Sequence, residues 1–387
     1  MFNIEIKIFN QNIENNIIYK IKMLKSILFI LLLLQTYSKS DVYFTKEISS
    51  HKIVEMFQKL NLNLEGNVGL KIHSGETGGK YFLRPDFLQE IYDHTKGTFI
   101  ECNTAYSSSR SSTSRHRQLL ETNGWTKNNR RIVIMDENPD NDIELTVKNP
   151  QKLNHNYVGG RITEFDSILV LSHFKGHQMG GFGGALKQLS IGFASQKGKT
   201  VIHTAGKYTD WHYAMSQAAS QEDFTASMAD AASTIVDRFQ GKIGYISVLA
   251  NISTACDCAG SSAPAPRIKD IGILASTDPV AIDKACLDLI KTNVDTGTDS
   301  LLSQITRLKG ENTVTFAEQI GIGSQDYNLV NVDGDGDGAG VTDGNKNGNG
   351  NTNDDEDEDD IDYDLPLSGD NIKMLSYIFS ALMILIL

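Results

Sequence analysis

The chain has 387 residues, 40% of them hydrophobic and 22% charged, which is ordinary for one large or two modest globular domains. Its net charge of −12 is concentrated, because fourteen acidic residues and one lysine lie between Asn331 and Asp370 and leave the remainder close to neutral. A near-neutral body excludes the basic footprint of a nucleic-acid binder and an electrostatic funnel for acidic substrates.

In chain order, residues 1–22 are rich in Asn and Ile and read as an extension ahead of a true start at Met23. Residues 23–40 carry a lysine, an apolar core over 27–34 and small polar residues after it. That is the layout of a secretory signal peptide, with a core too short to span a bilayer; a buried apolar strand or a short anchor is the plainer alternative. From 41 to 332, short apolar runs alternate with amphipathic ones. Strands are expected over 67–73, 97–102, 131–136, 166–173 and 241–252, several of them apolar on both faces as buried sheet strands are. Helices are expected over 84–96, 114–123, 217–240 and 278–291, the last with Asp278 as N-cap and Pro279 at its first position. The alternation predicts an α/β domain with a mostly parallel sheet flanked by helices, either as one body or as two lobes with a cleft between them.

Residues 333–367 are acidic and almost free of apolar side chains, which predicts a disordered stalk. Asp333, Asp335 and Asp337 imitate the start of an EF-hand loop, but Gly344 stands where the twelfth-position Glu belongs. Residues 368–387 place small residues before a polar spacer and an apolar run, as in a GPI-attachment signal with its lipid on Ser368, Gly369, Asp370 or Asn371. A tail anchor is the alternative. Both ends together predict the secretory pathway and a cell surface, with the membrane as partner through a lipid.

Chemistry concentrates in "SHFKGHQMGGFGGALKQLSIG", residues 172–192. It follows a strand expected to end at the carboxyl edge of the sheet, where α/β folds bind ligands. His173 and His177 are four apart and would share a face in a helical turn. Gly181, Gly183 and Gly184 let the backbone approach a ligand closely, and Lys187 falls at a helix start, which favours anions. His203 follows in "GKTVIHTAG". The plainer reading is a glycine turn where helix meets strand, with histidines hydrogen-bonded in the core. A second wall is expected from Lys71, His73, Glu76, Lys80 and Arg84, with Arg84 able to grip a carboxylate or phosphate. Arg110, Arg115 and Arg117 in a serine-rich run either cap this cleft or lie exposed. Of four cysteines, Cys256 and Cys258 are buried small residues, disulfide partners or weak metal ligands. Asn251-Ile252-Ser253 is the one acceptor sequon.

The blocks "VGLKIHSGETGGKYFLRP", "VLSHFKGHQMGGFGGALKQLSIGFAS" and "DIGILASTDPVAIDKACLDLI", closed by "GIGSQDYNLVNV", resemble domain-of-unknown-function family 362 from about Val42 to Val332. The resemblance implies an α/β fold; many members carry an inserted pair of ferredoxin-type cysteine clusters. No cysteine stands between Lys199 and Gly241, where that insert belongs, so iron–sulfur electron transfer lacks its ligands here. A fainter similarity joins His177, the glycine run, Lys187 and His203 to the nickel-pincer lactate racemases. It implies Lys187 as the cofactor tether, His203 as a nickel ligand and His177 as acid or base; His173 is a further candidate metal ligand. The expected function is then a racemase-like or redox activity on a small anionic metabolite, with Lys71, His73 and Arg84 binding it and a metal ion as cofactor. The alternative is a non-catalytic surface binding module that keeps the fold.

Overall fold

The computed structural model describes residues 19–23, 25–26 and 39–334. Most of the upstream extension, nearly all of the expected signal peptide, the acidic stalk beyond residue 334 and the expected lipid-attachment tail lie outside the described residues. No helix among the described residues is long and apolar enough to cross a membrane.

The strands are β1 (Ser40–Thr45), β2 (Val68–Lys71), β3 (Thr98–Glu101), β4 (Ile132–Ile134), β5 (Ile143–Thr146), β6 (His155–Val158), β7 (Ser167–His173), β8 (Lys175–His177), β9 (Gly181–Gly183), β10 (Ile243–Leu249), β11 (Gly272–Ser276) and β12 (Tyr327–Asn331). Eight of them form one sheet in the order β12-β1-β11-β10-β7-β2-β3-β4. All its pairings are parallel except those of β11 with β1 and β10, so the sheet is mostly parallel, as expected. The helices are α1 (Ser50–Lys59), α2 (Gln89–Thr95), α3 (Thr113–Thr122), α4 (Ala185–Lys187), α5 (Gln196–His203), α6 (Gln221–Arg238), α7 (Pro279–Thr292), α8 (Thr298–Arg307) and α9 (Asn312–Gln319).

Alternation along each central strand feeds two cores. Ile168 and Val170 of β7 join the cluster that includes Ala232, Ile282 and Leu287 of α6 and α7. Leu169 and Leu171 point the other way, into the cluster with Ile53 and Met56 of α1 and Ile91 of α2. Strands buried on both faces therefore read as unbroken apolar runs. Asp278 caps α7 by accepting from the Val280 and Ala281 amides at 2.8 and 2.9 Å.

Two expectations change. His173 and His177 do not share a helical face: β7 ends at His173, and Lys175–His177 pairs antiparallel with Gly181–Gly183 in a separate hairpin. In an extended chain, neighbours four apart are not stacked by the helical period. Helix α2 begins at Gln89, later than expected, with turns over the residues before it. Strands β1, β11 and β12 are additions to the strands read from sequence. What matters for function is that β3, β2, β7 and β10 lie side by side, so the loops leaving their carboxyl ends meet.

Candidate functional site

Those loops enclose a cavity of about 240 Å³. Its walls differ in chemistry. On one side Glu101, the last residue of β3, receives Lys71 Nζ at 2.7 Å and Arg110 Nη1 at 3.0 Å. Lys71 also donates to the Ile72 carbonyl at 2.5 Å and Gln188 Oε1 at 3.0 Å, which uses all three ammonium protons. Arg110 further reaches Glu76 at 3.3 Å and the Tyr106 hydroxyl at 3.1 Å. Burial works against the Glu101 charge, but Lys71 and Arg110 outweigh it and hold the carboxyl well below its ordinary range. The serine-rich run thus delivers Arg110 into the cleft, while Arg115 and Arg117 stay exposed.

Beside this lies a second closed set. His173 at the end of β7 donates through Nδ1 to Asp257 at 3.1 Å, and its Nε2 faces the Ala250 carbonyl at 2.6 Å. Both nitrogens face acceptors, so the expected role of His173 as a metal ligand has no free lone pair to use. Lys175 Nζ bonds Asp257 at 2.5 Å and the His173 carbonyl at 3.0 Å.

The wall built by the β8–β9 hairpin, α4 and α5 is different. His177 Nδ1 accepts from the amides of Met179 and Gly180, at 3.2 and 3.0 Å. A nitrogen that accepts carries no proton, so the neutral ring holds its proton on Nε2. Burial, then Lys187, keep the His177 pKa well below the ordinary value. Lys187 closes α4 and lines the cavity, and its ammonium has no hydrogen bond or ion pair among the described residues. Burial first, then Lys175, Arg110, Lys199 and Lys71, bring its pKa down to about 7. His203, at the end of α5, stacks on Phe224 with centroids 4.8 Å apart and leaves Nδ1 without a partner. Burial, then Lys187, lower its pKa to about 3. His73 accepts the Gly75 amide at 3.1 Å through Nδ1 and is also held well below its ordinary value, by burial and then Arg110.

The glycines have separate reasons. Gly181 takes φ +78° and packs against Gly310, outside the cavity. A Cβ on Gly184 would lie 2.3 Å from Asp283 Oδ1, which accepts from the Ala185 amide at 2.7 Å while its Oδ2 accepts from Leu186 at 2.9 Å. A Cβ on Gly183 would meet only Lys187 Cδ, at 3.7 Å, so this is where bare backbone opens space. After Lys187 the chain makes one π-turn, Gln188–Gly192, that brings Gln188 and Gly192 to the cavity; such turns recur at functional sites.

The structure therefore brings together Lys71, His73, His173, His177, Gly183, Gly184, Lys187 and His203. It does not bring Arg84, which is exposed, stacks on Phe82 at 4.2 Å and donates to the Lys80 carbonyl. Sequence reasoning missed Glu101, Lys175 and Asp257. A charge closing an apolar strand, as in "TFIE", was the available signal for the first.

Cys256 and Cys258 are joined in a disulfide and line the same cavity; Cys102, a free buried thiol, also lines it, and Cys286 is free and buried elsewhere. A ring nitrogen of His177 and the two sulfurs lie within 4.8 Å of one another, a metal-capable group by residue type. The sulfurs are bonded to each other rather than free as thiolates, and the two backbone amides hold His177 as the Nε2–H tautomer. In the oxidised protein this trio and His173 therefore offer no ready metal donors, and the one fully buried imidazole nitrogen without a partner among the described residues is Nδ1 of His203, which lines the cavity.

The model of a family described as domain of unknown function (DUF362) matches residues 68–288, more than half of the chain. No curated protein matches it. Among solved structures, the lactate racemase apoprotein of Thermoanaerobacterium thermosaccharolyticum is similar at a TM-score of 0.39 and 14% identity, covering 64% of this chain and 56% of that one. A protein of Thermotoga maritima is similar at 0.36 and 12%, covering 70% and 58%. The chain spans less than two thirds of either, and at these scores neither likeness carries an argument.

Proposed function

The chain belongs to the domain-of-unknown-function family DUF362, and we propose that its cleft binds a small organic carboxylate and acts on it by proton transfer, as a racemase would. The observation that carries this is Lys187: a half-buried amine lining the cavity with no anionic partner among the described residues, ringed by cations and titrating near neutrality. A bound carboxylate relieves that repulsion by pairing the charged amine, which leaves the unpartnered Nδ1 of the neutral His203 ring to accept a proton. His177 complements it as a neutral ring offering a proton through Nε2 to a ligand oxygen, a hydrogen-bond donor rather than the acid or base of the fainter family resemblance. His203 and His73, both neutral, complete the polar lining. The volume of about 240 Å³ suits a ligand of a few heavy atoms rather than a polymer.

Competitive labelling of amines across pH tests this. Lys187 should gain reactivity as pH rises through about 7, well below the range in which an ordinary lysine loses its proton. Saturating glycolate or lactate should move that midpoint upward, because the anion favours the charged amine. An ordinary lysine midpoint, or one that no small carboxylate moves, would sink the reading.

The same proposal puts the chain at the cell surface through a C-terminal lipid. A disulfide supports an oxidising compartment. Release of the protein from intact cells by a phosphatidylinositol-specific phospholipase is the expected result, and retention refutes the anchor.

A further inference from the structure

The bridge between Cys256 and Cys258 has no use in that chemistry and little in stability. It spans one intervening residue, so it closes almost no chain and restricts the unfolded state little. The loop is held without it, because Asp257, between the two cysteines, is fixed by His173 and Lys175. Yet the sulfurs line the cavity, and Cys258 is the more open of the two. A ring nitrogen of His177 lies within 4.8 Å of both. Lys187 and Arg110 line the same space.

Resting on the anion-binding reading of the cleft, we infer that this bridge is a reactive disulfide whose partner is a small anionic thiol of the mercaptocarboxylate class. Lys187 holds the carboxylate, and the thiolate of the same molecule attacks Cys258 Sγ. A sulfur–sulfur bond forms between ligand and Cys258 as the Cys256–Cys258 bond breaks, and its electron pair leaves on Cys256 Sγ. The Nε2–H of His177 and the Lys187 ammonium stabilise that thiolate, as cationic and hydrogen-bonding surroundings do for reactive cysteines. A second thiolate displaces the ligand sulfur as a small symmetrical disulfide. Two electrons have then passed from two thiolates to the bridge, and both cysteines are reduced.

The test incubates the full chain with mercaptoacetate or 2-mercaptoethanol at equal thiolate concentration and tracks the peptide carrying Cys256 and Cys258 by mass. The charged thiol should open the bridge about tenfold faster, the scale of modest electrostatic steering. That preference should fall toward unity in both Lys187→Met and Lys187→Ala. Equal rates with Lys187 present, or a bridge untouched by either thiol, overturn the inference. Glycolate separates the two readings. If it moves the Lys187 labelling midpoint while mercaptoacetate leaves the bridge intact, the anion site stands and the thiol chemistry falls. If it leaves Lys187 unmoved and the thiols act equally, both fall.

Discussion

The two sides of the cavity bury similar residues for opposite ends. On the side of Lys71, Glu101, Arg110, His173, Lys175 and Asp257, every charge meets an opposite charge or a carbonyl. On the side of His177, Lys187 and His203, hydrogen-bonding capacity is left over: an unpaired amine, a ring with its proton on the nitrogen away from the backbone, and an orphaned Nδ1. Burying a charge is costly unless it is paired, so the first side is scaffold and the second is where a ligand completes the set. Perturbed titration alone would not have separated them, since Glu101 is shifted as strongly as Lys187 but by partners that saturate it.

The sharpest way to break this contrast is to remove charge from each side. Glu101→Gln leaves Lys71 buried without a carboxylate and Arg110 with Glu76 alone, and unfolding stability should fall by about 3–5 kcal/mol. Because the folded carboxyl lies below its ordinary range, that loss is complete above the unfolded-state value and shrinks as pH drops below it. Lys187→Met removes a half-buried charge that has no partner among the described residues, so stability should hold or rise. Urea melts of the two variants at pH 7 check the pair, read as midpoints at constant slope. Equal losses would mean that Lys187 has a partner in solution and that the two sides are alike.

Part of this was legible in sequence. The buried strands β2, β3, β7 and β10 announce themselves as apolar runs, and Asp278-Pro279 marks the start of α7. His177, Lys187 and His203 stand out because titratable side chains crowd a glycine run. Saturation was not legible, because partners come from elsewhere in the chain: Glu101 lies thirty residues from Lys71, and Asp257 eighty-four from His173. Arg84 and Arg110 both stood near the expected cleft, and only the fold of the serine-rich loop decides that Arg110 enters it. Strands β1 and β12 escaped for the same reason, being partly exposed and pairing across nearly the whole domain.

A smaller effect sharpens the comparison inside a single turn. Gly183 and Gly184 look equivalent in sequence, and both were expected to cradle a cofactor. In Gly184→Ala the new methyl collides with the Asp283 carboxylate, which caps the amides of Ala185 and Leu186. Overpacking of that kind costs about 1–3 kcal/mol, and α4 would lose the carboxylate that orients Lys187. In Gly183→Ala the methyl enters open space beside Lys187, so stability should stay within about 0.5 kcal/mol of the parent. Its effect falls on the ligand instead, because the methyl occupies volume next to the amine, and the shift that glycolate produces in the Lys187 labelling midpoint should shrink. Thermal melts and amine labelling of both variants separate these outcomes. A stable Gly184→Ala with its labelling intact would show that Asp283 does not hold the turn, and an unaltered glycolate response in Gly183→Ala would move the anion away from Lys187.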